Sequence, residues 1–74
     1  MRMTTWTIYD HPSDYPEHFV AREFLIVPGG ARPTPSVMVS TDLEWLRTTL
    51  LVDFGMVSLA RSPEDDPTIV ETWF

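Results

Sequence analysis

Thr41-Asp42-Leu43-Glu44-Trp45-Leu46-Arg47-Thr48-Thr49-Leu50-Leu51 is the stretch of this 74-residue chain that reads as a helix. Thr41 and Glu44 stand at capping-box spacing: the threonine oxygen satisfies an orphan amide while the glutamate reaches back. Leu43, Leu46, Leu50 and Leu51 recur at one-face helical spacing, with Glu44, Arg47 and Thr48 opposite. Glu44 and Arg47, three apart, can pair for roughly 0.2 to 0.5 kcal/mol. Gly55 closes the segment. A helix of about ten residues is marginal alone. Its leucine stripe must dock on something, and the text on either side supplies a sheet.

Upstream, residues 4–9 (Thr-Thr-Trp-Thr-Ile-Tyr) favour a strand with Trp6 and Ile8 on one side. Residues 10–17 hold two prolines and three acids and form a loop. Residues 18–27 read as a second strand whose Leu25-Ile26-Val27 end is buried on both sides. Pro28-Gly29-Gly30 stops it. Residues 31–36, with Pro33 and Pro35, are an extended connection to a short third strand, Val37-Met38-Val39. Downstream of the helix, residues 56–60 form a fourth strand with Val57 and Leu59 inward. Residues 62–67 are an acidic, proline-bounded turn, and residues 68–74 a fifth strand.

The order β-β-β-α-β-β with short connections predicts a single α+β domain over residues 1–74. It is a small antiparallel sheet of four or five strands with one helix packed on one face. The last two strands form a hairpin. The other sheet face carries Trp, Val or Phe residues that no second helix can cover, and it is either solvent-exposed or an interface.

Eleven acids face five bases, all arginine, for a formal net charge of -6. That balance excludes a general nucleic-acid binder, whose phosphate contacts need a basic face, and a polybasic membrane anchor. No run approaches the roughly 18 apolar residues of a spanning helix, and the N-terminus lacks a signal-peptide pattern. With no cysteine, disulfides, thiolate catalysis and sulfur-ligated zinc are excluded. The expected location is a reducing cytoplasm.

His11 and His18 share a loop with Asp10, Asp14 and Glu17, a donor set that could hold a divalent metal or act as a general base. Their spacing matches no compact zinc pattern, and such side chains commonly make turn hydrogen bonds in proline-pinned loops. No metal or other cofactor is expected. Pro28-Gly29-Gly30 is too short to cradle a nucleotide, and the chain has no lysine to accompany it. Asp53-Phe54-Gly55 repeats a protein-kinase signature without that fold around it. These readings favour a protein that is not an enzyme.

Glu64-Asp65-Asp66 is the densest acidic run. It is either a solvated turn or, joined to Asp10, Asp14 and Glu17, one negative patch for an arginine-rich partner. Tyr9 and Tyr15 flank the proline loop, and Trp73-Phe74 ends the chain; exposed aromatics of this kind anchor interfaces.

The stretch Trp6-Thr7-Ile8-Tyr9-Asp10-His11-Pro12-Ser13-Asp14-Tyr15-Pro16, with His18-Phe19-Val20-Ala21-Arg22-Glu23, resembles a family of short uncharacterised reading frames of bacteria and their phages. Arg61-Ser62-Pro63, Asp65-Asp66-Pro67 and Ile69-Val70-Glu71 fit the same family. Small acidic, cysteine-free proteins of that setting resemble phage-encoded inhibitors, anti-CRISPR proteins among them. The resemblance implies a non-enzymatic inhibitor that docks on a basic, nucleic-acid-handling surface of a host protein complex, such as a CRISPR effector. It would bind neither nucleic acid nor membrane directly. The expected contacts are Asp10, Asp14, Tyr15, Glu17, Glu64, Asp65 and Asp66. The alternative is a self-associating module, a homodimer through the open sheet face and Trp73-Phe74, whose acids merely keep it soluble.

Overall fold

Trp6 and Ile8 lie two apart on a strand and therefore share a face, and their cross-strand partners extend that face across the sheet. In the computed structural model, which describes residues 3–74, the strands are β1 (Thr4–Asp10), β2 (Phe19–Val27), β3 (Gly30–Ser40), β4 (Ser58–Ala60) and β5 (Ile69–Trp73). They form one five-stranded sheet in the order β3-β2-β1-β5-β4 with every neighbouring pair antiparallel. Helix α1 (Leu43–Thr48) continues into a π-helical turn, Thr49–Asp53, and covers one face. The predicted α+β architecture and the hairpin of the last two strands are those observed.

Ile8 stands opposite Ala21 on β2, and Trp6 opposite Trp73 on β5. These four residues join Leu46 and Leu50 in the buried core, with Phe19, Met38, Leu43, Met56 and Val70 packed against it. Both core tryptophans thus lie on the covered face. The open face, which no helix covers, carries Thr5, Thr7, Tyr9, Val20, Arg22, Phe24, Val37 and Val39 instead, with Thr7 and Val20 themselves buried.

Several sequence expectations are corrected. The helix N-cap is Asp42, whose carboxylate accepts the Glu44 amide at 3.0 Å, rather than Thr41. Leu51 is 55% exposed; successive helical residues point about 100° apart, so only one of two adjacent leucines can face the sheet. Arg47 is not on a free polar face but reaches the sheet at Glu71. Val57 and Leu59 are 61% and 59% exposed. Ser58 sits opposite the buried Trp73, which turns its neighbours to the other face. The doubly buried part of β2 is its beginning, Val20 and Ala21, whereas Ile26 is exposed.

The third strand starts at Gly30, not at residue 37, and includes both prolines. Ile26 donates its amide to the Met3 carbonyl at 2.9 Å. By alternation Phe24 also addresses β1, so opposite Phe24 the imide nitrogen of Pro33 faces the outer edge of the sheet. An edge strand tolerates proline there because no ladder hydrogen bond is lost. The register shifts between Arg22 and Phe24, where Pro35 falls in the irregular segment. Gly29, at φ +88°, makes the Pro28-Gly29 turn that joins β2 to β3.

The buried Glu71 fixes the helix to the sheet. One oxygen accepts from the Arg47 guanidinium at 2.9 Å, and the other accepts the Trp73 indole N–H at 2.7 Å. Arg47 also donates to Glu44 at 2.6 Å. Both glutamates push the arginine further above its usual range, the bond to Glu71 first.

Candidate functional site

The chain directions place both acidic loops at one end of the sheet. β1 runs towards that end and β5 away from it, so the loop leaving β1 and the turn entering β5 are neighbours. The Asp10 amide donates to the Thr68 carbonyl at 2.7 Å and joins them directly. Asp10, Asp14, Tyr15, Glu17, Glu64, Asp65 and Asp66 therefore share one end of the molecule. β3 also finishes there, since Ser40 pairs with Phe19, and α1 begins there with Asp42 and Glu44.

Each loop is shaped by its own short-range bonds. In residues 11–18 the His11 amide donates to the His18 carbonyl at 3.0 Å, and the Tyr15 amide to the Pro12 carbonyl at 2.9 Å. His11 takes the left-handed conformation, φ +49°, its ring bonded to the Asp10 carboxylate and packed edge-on against Phe19 at 4.9 Å. The histidines thus take part in the turn. Among the described residues no three His, Asp or Glu side chains converge as a metal site.

In the second loop the Asp65 carboxylate accepts the Ser62 amide at 2.9 Å, while the Asp65 amide donates to the Ser62 carbonyl at 3.0 Å. Asp66 accepts both the amide and the hydroxyl of Thr68, at 2.9 and 2.8 Å. Those two bonds hold its carboxyl below the usual carboxylate range, the amide contributing most.

Asp14 folds back to pair with Arg22 on the open sheet face. Glu17 and Glu64 are exposed and make no hydrogen bond or ion pair among the described residues. Tyr15 and Asp65 are half-buried and the other acids of the two loops are exposed. Tyr9 stands between the loops. Burial raises its phenol above the usual tyrosine range, Arg22 opposes that rise and Asp66 adds to it.

Of the expected interface aromatics, Trp73 is buried and Phe74 is exposed. Trp45 is also exposed, on the outer side of α1. Sequence reasoning missed Arg22 as the anchor of the first loop; a mid-strand arginine eight residues after an aspartate is its only trace. It also left Asp42 and Glu44 out of the acidic end, although a β1-β2-β3 meander places the β1–β2 and β3–α1 connections on the same side.

No cavity is enclosed by the described residues. Among the described residues no helix is long and apolar enough to cross a membrane. No family model, curated protein or solved structure matches the chain significantly.

Proposed function

We propose that this protein acts by binding rather than by chemistry, docking the acidic end of its sheet on a basic protein surface that normally handles nucleic acid. The observation carrying this reading is the Asp10–Thr68 hydrogen bond, which makes one surface of two loops separated by more than half the chain. Six carboxylates in fixed turns form a preorganised negative patch, and Tyr15 supplies an aromatic at its margin. Preorganisation reduces the ordering cost of binding, and concentrated charge of one sign accelerates encounter with an oppositely charged surface. In this reading the protein is a phage- or prophage-type inhibitor, of the anti-CRISPR kind, working in the cytoplasm of the host against an effector complex.

The test uses Glu17→Arg combined with Glu64→Arg, because neither carboxylate supports the fold through a hydrogen bond. Association with purified CRISPR effector complexes is followed by surface plasmon resonance across a salt series. Wild type should bind one of them and block its nucleic-acid loading. The double variant should associate about tenfold more slowly at low salt. Equal rates and equal salt dependence for the two proteins would refute docking through this end, and no binding to any effector would refute the inhibitor class.

A further inference from the structure

The two edges of the sheet differ in a way that points to a second copy of this chain. On β3 the outer edge carries Pro33 and lies beside the irregular segment around Pro35, features that obstruct strand addition. β4 has neither proline nor bulge, only its three-residue length to limit pairing. Val57 and Phe74 exchange both backbone hydrogen bonds, each 2.9 Å. Antiparallel alternation then pairs Leu59 with Thr72 in the same way and turns the amides and carbonyls of Ser58 and Ala60 outward. Neither residue's backbone has another hydrogen-bond partner among the described residues. Val57, Leu59 and the 48%-exposed Phe74 form an apolar rim on the same side of this edge.

We propose that β4 pairs with β4 of a second copy across a two-fold axis through Leu59, making one continuous sheet of twice five strands. Ser58 and Ala60 flank Leu59 symmetrically. In antiparallel register Ser58 of each copy exchanges both its outward hydrogen bonds with Ala60 of the other, and the two Leu59 side chains meet. That self-complementarity is what an isologous interface requires.

Charge favours the same arrangement. Each copy carries a net -6, and its acidic loops lie at the end of the sheet towards which β4 runs. Antiparallel pairing sends the two acidic ends in opposite directions, and it sets Arg61 of each copy beside Val57 of the other. A standard interface takes about 800 Å² from each partner, whereas this chain exposes 4950 Å² in all. A three-residue edge with an apolar rim offers less than the standard area, so the dimer is weak and dilution dissociates it.

Sedimentation equilibrium over a concentration series, read beside amide exchange by NMR, tests the pairing. Wild type should move from 8.5 kDa towards twice that mass as concentration rises. The Ser58 and Ala60 amides should gain protection in step, while outward amides of β3 do not. Ala60→Pro removes an outward donor without touching the β4–β5 ladder, and Leu59→Lys places charge on the axis. Each should remain monomeric at concentrations where half the wild type is dimeric, with circular dichroism confirming a folded sheet. The Glu17→Arg/Glu64→Arg protein should dimerise like wild type, which separates this inference from the proposed binding function. Wild type that stays monomeric at millimolar concentration overturns the proposal, even if its β4 edge accepts an extended peptide. So does dimerisation undiminished by Ala60→Pro and Leu59→Lys.

Discussion

At the loop end of the sheet the surface is made of carboxylates on short turns, Asp65 and Asp66 bonded within their own turn and Glu17 and Glu64 free among the described residues; at the opposite end Leu51, Val52, Phe54, Val57 and Phe74 are exposed. Each loop of the first end is shaped locally, and the Asp10–Thr68 bond joins the two. Asp65 and Asp66 accept from residues two or three positions away, and Asp14 needs only Arg22, eight residues on. The second end is specified by distant parts of the chain. Phe54 stacks edge-on against Trp6 at 5.5 Å, and Val57 pairs with Phe74. Polar turns thus shape the first end, whereas apolar contacts across the fold assemble the second.

The largest expected effect breaks both ends together. Leu50, in the π-helical turn, is fully buried and shares the core with Trp6, Ile8 and Trp73. Leu50→Ala should cost about 2–5 kcal/mol, read as a fall in the urea midpoint at unchanged slope. Loss of much less would mean that the helix does not hold the sheet. Gly55→Ala sharpens the contrast by acting at the apolar end alone. Gly55 has φ +66° with nothing within 4 Å of an added Cβ, so the penalty is purely conformational, about 1–2 kcal/mol. Amide exchange should quicken in residues 54–57 and stay unchanged in residues 11–18; equal acceleration at both places would show the two ends to be one cooperative unit.

The smallest effect belongs to the acidic end. Because Thr68 lowers the folded-state pKa of Asp66, the turn's contribution is complete above the unfolded value, about 3.9. It is lost as pH falls through the folded one. Asp66→Asn should flatten the acid limb of the stability–pH curve below about pH 4, because it loses the charge-dependent contribution at neutral pH and matches wild type in acid, where Asp66 is protonated as well. Acid limbs that superimpose would show that the Thr68 bonds do not depend on the charge.

The sequence made the fold class legible because the leucine stripe, the proline loops and the Trp6/Ile8 alternation are each local signals. It misplaced the features that depend on pairing. Pro33 looked like a strand breaker because nothing local says that β3 lies at an edge. Val57 and Leu59 looked inward because their parity is set by Trp73, on another strand. The acidic residues were legible one by one. Their assembly was not, since the adjacency of β1 and β5 brings residues 10 and 68 together and only the full sheet order reveals it.

The hydrogen bond from the Trp73 indole to Glu71, with Trp6 facing it across β1 and β5 and Trp45 standing outside, also determines how the protein absorbs and emits light. Two indoles are shielded from water and one is open to it. A soluble quencher therefore darkens the helix's outer surface first, and the red edge of the emission reports that surface while the blue edge reports the core.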